Sequence, residues 1–129
     1  MKIGDYVRTE YGIAKCIKAT PIKENSFLYE FDREVYEDVF HLTASELEKY
    51  KSSPNIIDLI QAGDYVNGYL IAKVYDVFET SPKELKEAHI KFADEDFISQ
   101  LYDTEIKSIV TKEQFGSLEY RIGENNDWI

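Results

Sequence analysis

Gly4-Asp5-Tyr6-Val7 and Gly63-Asp64-Tyr65-Val66 are the same four residues in the same order, and their reading decides the fold. Ile13-Ala14-Lys15 follows the first copy and Ile71-Ala72-Lys73 the second. The spacing differs by one residue, as a turn of altered length would produce. Within each copy Gly-Asp allows a tight entry, Tyr-Val begins a strand, and Gly12 or Gly68 supplies the turn. The stretches Ile13-Ala14-Lys15-Cys16-Ile17 and Leu70-Ile71-Ala72-Lys73-Val74 read as the return strands. Gly-Asp-aromatic-Val is also a common way to start any strand, so the Ile-Ala-Lys echo carries much of the repeat. The expected fold is mostly β (α+β): two strand-turn-strand units with short helices, in small antiparallel sheets or barrels. The expected division is an N-terminal unit over 1–52 and a second over 53–129, packed together.

Outward from the repeat, residues 27–40 alternate with period two. Phe27, Tyr29, Phe31, Val35 and Val39 are expected on one face; Leu28, Glu30, Asp32, Glu34, Tyr36, Asp38 and Phe40 on the other. Thr43-Ala44-Ser45-Glu46 reads as a capping box opening a short helix that includes Leu47 and Tyr50. Lys51-Ser52-Ser53 reads as a polar break, and Pro54 suits the first turn of a brief helical segment over 55–61. Ser81-Pro82-Lys83-Glu84 is a further helix start, Ala88-His89-Ile90-Lys91-Phe92 alternates as a strand, and Asp94-Glu95-Asp96 marks a turn. Ile106-Lys107-Ser108-Ile109-Val110 reads as a strand and Thr111-Lys112-Glu113-Gln114 as another capping box. Residues 118–122 are expected to close the sheet, ahead of a loose tail.

Composition bounds the rest. The 129 residues are 43% hydrophobic and 31% charged, ordinary for a chain that buries a core. Ten Tyr and seven Phe favour strands and contact surfaces. No apolar run approaches the roughly 18 residues of a bilayer span. The first residues turn acidic with no apolar signal region, and Cys16 is the only cysteine, so the expected location is cytoplasmic. The net charge of −10 disfavours phosphate and anionic lipid and suits a basic protein partner. The negative charge is concentrated, because residues 27–48 carry seven acids against the single base Arg33.

Catalytic chemistry finds little support. His41 and His89 lack a metal-ligand partner at a useful spacing, and no Cys pair exists. A Cys16-His dyad is weaker than a small buried cysteine. The acids Asp94, Glu95 and Asp96, with Asp103 and Glu105, lack the Gly and terminal Glu of an EF-hand loop. Phosphate-loop and nucleophile-elbow motifs are missing. No enzyme activity, cofactor or metal is therefore expected.

The hairpin pattern resembles the opening of small SH3-like barrels of the KOW and Tudor-like kind. Two longer stretches carry a second resemblance. They are Ser52-Ser53-Pro54-Asn55-Ile56-Ile57-Asp58-Leu59-Ile60-Gln61-Ala62-Gly63-Asp64-Tyr65-Val66-Asn67-Gly68, and Ile106-Lys107-Ser108-Ile109-Val110-Thr111-Lys112-Glu113-Gln114-Phe115 with Glu119-Tyr120. With the Gly4 to Lys15 opening they resemble a group of small uncharacterised proteins of Gram-positive bacteria, their phages and mobile elements. That resemblance implies a setting, conflict between a bacterium and its phage or mobile DNA, and no catalytic residues.

The expected function is a non-catalytic protein-binding module of phage or mobile-element type. Carboxylates at Glu30, Asp32 and Glu34, about 6.7 Å apart on a strand, with Asp38 continuing the row, imitate a phosphate backbone. Tyr36 is a candidate anchor. Such a face suits an inhibitor of the anti-CRISPR kind, with a basic nuclease or other nucleic-acid-binding host protein as partner. The same row also fits a sheet face kept soluble by charge. Direct nucleic-acid contact is the alternative, through Arg8, Tyr11, Lys15, Lys18 and Lys23. A membrane partner is not expected, and homo-oligomers are left open.

Overall fold

The computed structural model describes residues 1–23, 26–35, 37–79 and 86–114. The chain divides into two compact units, Met1–Leu59 and Ile60–Ile129. The first holds β1 (Tyr6–Thr9), β2 (Gly12–Lys23), β3 (Ser26–Val35), β4 (Asp38–Thr43), the short helix α1 (Ala44–Leu47), β5 (Lys51–Ser53) and a 3-10 turn at Ile56–Leu59. The second holds β6 (Tyr65–Val66), β7 (Tyr69–Glu79), β8 (Lys86–Phe92), β9 (Ser99–Tyr102), a 3-10 turn at Asp103–Glu105 and β10 (Ile109–Val110).

Each unit is one five-stranded antiparallel sheet, ordered β4-β3-β2-β1-β5 and β10-β6-β7-β8-β9. The plan is the same in both: four strands in sequence, a helical turn, and a short fifth strand laid against the first. Mostly β structure with short helical turns is as expected. Closure into barrels does not occur, because the fifth strand pairs with the first and not with the fourth, which leaves two edges on each sheet.

The repeated Gly-Asp performs the same local work twice. Gly4 and Gly63 take φ of 97° and 96°, a conformation glycine adopts without a Cβ clash. Gly4 N–H donates to Cys16 O at 2.8 Å and Cys16 N–H to Asp5 O at 2.7 Å. Gly63 N–H donates to Ile71 O and Ile71 N–H to Asp64 O, both at 2.8 Å. Asp5 Oδ2 accepts the Lys2 N–H at 2.9 Å and Asp64 Oδ2 the Gln61 N–H at 2.8 Å. Ile71 is thus the counterpart of Cys16. The Ile-Ala-Lys echo is therefore not structural: Ile13 pairs with Arg8, three rungs nearer the tip of a hairpin longer by two rungs.

The first core gathers Val7, Ala14, Cys16, Tyr29, Phe31, Phe40 and Leu42, with the Phe31 and Phe40 rings 5.6 Å apart. In the second unit Val66, Ile71, Ala88, Ile90 and Leu101 are buried, and the ladder sets Ala88 against both Val77 and Leu101. Burial of alternate residues on β3 and β8 is the period-two signal of a sheet with one covered face.

Several expectations need correction. Lys51-Ser52-Ser53 is not a break but β5, paired with β1; buried Ser53 donates its hydroxyl to Asp58 Oδ2 at 2.5 Å, so pairing and a side-chain bond replace apolar burial. The strand expected over 106–110 shortens to Ile109–Val110. The alternation over 27–40 breaks after Val35, where Glu37 turns with φ of 70°. Phe40 is consequently buried and Val39 exposed, the reverse of a continuous strand. The capping box at Thr43 and Glu46 forms as expected, with the helix ending at Leu47. The helix start at Ser81, Tyr36, and residues 118–122 lie outside the described residues.

Candidate protein-binding face

β3 is held between β2 and β4, and the burial of Tyr29 and Phe31 fixes its rotation. Successive side chains on a strand point to opposite faces, so Glu30, Asp32 and Glu34 line the outward one. Asp32 and Glu34 are exposed and Glu30 is half-buried.

Two of the three carboxylates have local partners. Asp32 Oδ1 accepts the backbone N–H of Lys15 at 2.7 Å, beside the irregularity between Cys16 and Lys18 in the β2–β3 ladder. The carboxylate satisfies an amide there that a regular rung would have served. Glu30 lies opposite Lys18, with Nζ 3.9 Å from Oε2, and opposite His41 on its other side. Glu34 pairs across with exposed Val39. Asp38 does not continue this row: it lies opposite Val35, which packs against the core, so its register belongs to the other face.

Three of the basic residues expected to form a patch have local partners or are buried. Arg8 is buried and its Nη1 donates to Leu59 O at 2.8 Å, while Lys18 faces Glu30 and the Lys15 ammonium sits 5.9 Å from the centre of the Tyr6 ring. Cys16 is fully buried; burial pushes its thiol up, and Sγ lies 3.6 Å from Lys18 O. Such a cysteine is a packing residue rather than a nucleophile.

The acidic loop spends its carboxylates locally. Glu95 Oε2 accepts the Ser99 hydroxyl, Asp103 Oδ1 the Thr104 N–H, and Glu105 Oε1 the Tyr102 N–H. Among the described residues no group of three or more His, Cys, Asp and Glu is arranged to hold a metal ion.

One constellation escaped the sequence reading. On the outward face of the second sheet, His89 Nδ1 is 3.0 Å from Asp76 Oδ1 and Nε2 is 3.4 Å from Glu87 Oε2. Phe78 meets the imidazole edge to face at 4.9 Å. Tyr102 shares a hydrogen bond with buried Glu87, which pushes its phenol up. The signal was present in Glu87 and His89, two apart on an alternating strand, but Asp76 and Tyr102 arrive only through the ladder. These contacts brace β7, β8 and β9 together.

No family model matches the chain, and no curated protein or solved structure matches it either. Among the described residues no helix is long and apolar enough to cross a membrane.

Proposed function

We propose that the chain is a non-catalytic protein-binding module whose outward β3 face meets a basic, nucleic-acid-handling protein. The observation that carries this reading is the alignment of Glu30, Asp32 and Glu34 on one face of a single strand, its rotation set by the buried Tyr29 and Phe31. Three carboxylates repeating at about 6.7 Å on a strand paired along both edges lose little freedom on binding. In a chain of net charge −10 they also draw a basic cleft by long-range attraction. Resemblance to phage and mobile-element proteins supplies the setting, in which the target is a host nuclease such as a CRISPR effector. Asp38 falls outside this row by its register. The nucleic-acid alternative is less favoured, since Arg8 is buried and Lys18 faces a carboxylate.

The test is capture from lysate of a Gram-positive host, followed by challenge with duplex DNA. The expected result is a basic protein retained by the wild type, released by DNA, and not retained by Glu30→Lys/Asp32→Asn/Glu34→Lys. Asparagine at 32 keeps an oxygen for the Lys15 amide, so the ladder survives the change. Retention indifferent to the three substitutions rules out the β3 face. Direct DNA or RNA binding that weakens steeply with salt favours the nucleic-acid alternative.

A further inference from the structure

Of the five asparagines in the chain only Asn67 is followed by glycine. That pair is chemically labile. A glycine nitrogen has no side chain beside it, so it reaches the preceding carboxamide more easily than the amide of a bulkier residue does. The two residues form the β6–β7 turn, with φ of 52° at Asn67 and 85° at Gly68. Both are exposed, and a Cβ at Gly68 would meet nothing within 4 Å. Crowding therefore does not shield the pair from water.

What restrains it is the segment ahead of β10. Asn67 Oδ1 accepts the N–H groups of Lys107 at 2.7 Å and Ser108 at 3.1 Å, and Nδ2 donates to Glu105 O at 2.8 Å. The Asn67 backbone N–H donates to Ser108 O at 2.9 Å. Both ends of the carboxamide are thus held by residues 38 to 41 positions along the chain. Ring closure brings Cγ to bonded distance of the Gly68 nitrogen and makes it tetrahedral. That movement carries Oδ1 and Nδ2 off their partners, so the clamp and the reaction exclude each other.

We infer that Asn67-Gly68 is a self-modification site kept unreactive by residues 105–108, and that it converts when that segment opens. With the clamp open, the Gly68 nitrogen gives its proton to hydroxide and bonds to Asn67 Cγ. The Cγ–Nδ2 bond breaks and ammonia leaves, taking a proton from water; no oxidant or reductant takes part. Water then opens the succinimide, giving aspartate by attack at one carbonyl and isoaspartate by attack at the other. Aspartate sets an oxygen against Glu105 O where a donor stood. Isoaspartate adds a methylene to the main chain, which a two-residue turn beside the Val66–Tyr69 rung has no room to absorb. Neither product re-forms the clamp, so an opening of the segment is recorded permanently.

The experiment follows conversion at position 67 in the full chain, by peptide mass and isoaspartate content, at mildly alkaline pH. The folded chain is compared with the chain in guanidinium chloride, where the clamp is gone. Conversion is expected to be at least about tenfold slower in the folded chain. The same opening frees the Lys107 and Ser108 amides, so their exchange protection should match the fold-reduction in conversion. Lys107→Pro removes the shorter of the two donors to Oδ1, and Ile106, at φ of −77° and ψ of 111°, is already close to the extended backbone that a following proline requires. This variant should convert faster than wild type while its β7–β8 amides stay protected. Equal rates in the folded and unfolded chains overturn the inference. A faster folded rate overturns it too, and would mean that the Lys107 and Ser108 amides stabilise the developing oxyanion instead. Conversion indifferent to Lys107→Pro, with β7–β8 protected, is equally fatal. If the variant loses that protection, the match between conversion and exchange in the wild type decides.

Discussion

The buried carboxylate of Asp64 accepts the backbone N–H of Lys112 at 3.0 Å, tying the entry of β6 to the turn that follows β10. Its other oxygen accepts the Gln61 N–H. Asp5 holds the counterpart position with the Lys2 amide at a half-buried site. Asp64→Ala should therefore cost about 2–4 kcal/mol and Asp5→Ala about 0.5–1 kcal/mol, since a buried amide left without its charged partner loses more than a wet one. Urea denaturation of the two variants against wild type measures the difference.

Asn67 and Gly68 take φ of 52° and 85°, both positive as a two-residue turn of the Asn-Gly type requires. The Asn67 side chain also accepts the N–H groups of Lys107 and Ser108 through Oδ1 and donates to Glu105 O. Asn67→Gly keeps the turn and loses this clamp, and is expected to cost about 1–2 kcal/mol. Amide exchange should quicken at Lys107 and Ser108 while the β6–β7 rungs stay protected.

Glu46 reports acid stability. Hydrogen bonds from the Thr43 backbone N–H and hydroxyl, both to Oε1, hold its carboxyl below the usual range. A depressed value means the contribution is present above the unfolded carboxyl value of about 4.3 and is lost as pH falls through the folded value. Glu46→Gln retains the acceptor oxygen but not the titration. Its stability should fall less than that of wild type between pH of about 5 and 3: the variant is the less stable of the two at neutral pH, where the ionised carboxylate contributes, and the two converge once that carboxylate is protonated. Thr43→Ala, which removes the cap hydroxyl, should cost about 1 kcal/mol at neutral pH and less at the acid end, since that hydroxyl also helps hold the Glu46 carboxyl down.

At the alkaline end, the Tyr50 hydroxyl donates to Glu10 Oε2 at 2.6 Å, and this bond, with burial and the carboxylate charge, pushes the phenol up to about 12. Raised above its unfolded value of roughly 10, the group contributes stability below that value and loses it as pH rises through the folded one. Tyrosinate absorbance of the folded chain should show a late-titrating phenol that is missing in Tyr50→Phe. Tyr102, also raised, is removed in parallel as Tyr102→Phe; if the late step persists unchanged in amplitude in Tyr50→Phe, the assignment to Tyr50 fails.

What the sequence made legible was whatever its signals encode locally. The Gly-Asp turns and the Thr43–Glu46 box each bond within a few residues, so spacing alone exposes them. β5 was hidden because Lys51-Ser52-Ser53 has no apolar pattern; it is a strand because β1 lies beside it, a relation between distant residues. The face of Asp38 was misread because one positive φ at Glu37 resets the alternation, and Glu has no turn signature of its own. In the candidate site Glu30, Asp32 and Glu34 were placed correctly by period two, whereas their engagement with Lys18 and the Lys15 amide depended on a ladder irregularity. His89 looked solitary for the same reason, its carboxylate Asp76 standing on a neighbouring strand.

The first hairpin of the N-terminal unit outruns its counterpart by Arg8 and Thr9 on one strand and Gly12 and Ile13 on the other. From Val7 and Val66 back to the Gly-Asp entry, every rung has its equivalent in the other copy. A repeated sheet of this kind can gain or lose length at its hairpin tips without a single interior residue changing neighbours. Difference between the two halves is thereby channelled to their ends, and the interior keeps one geometry while each rim is free to specialise.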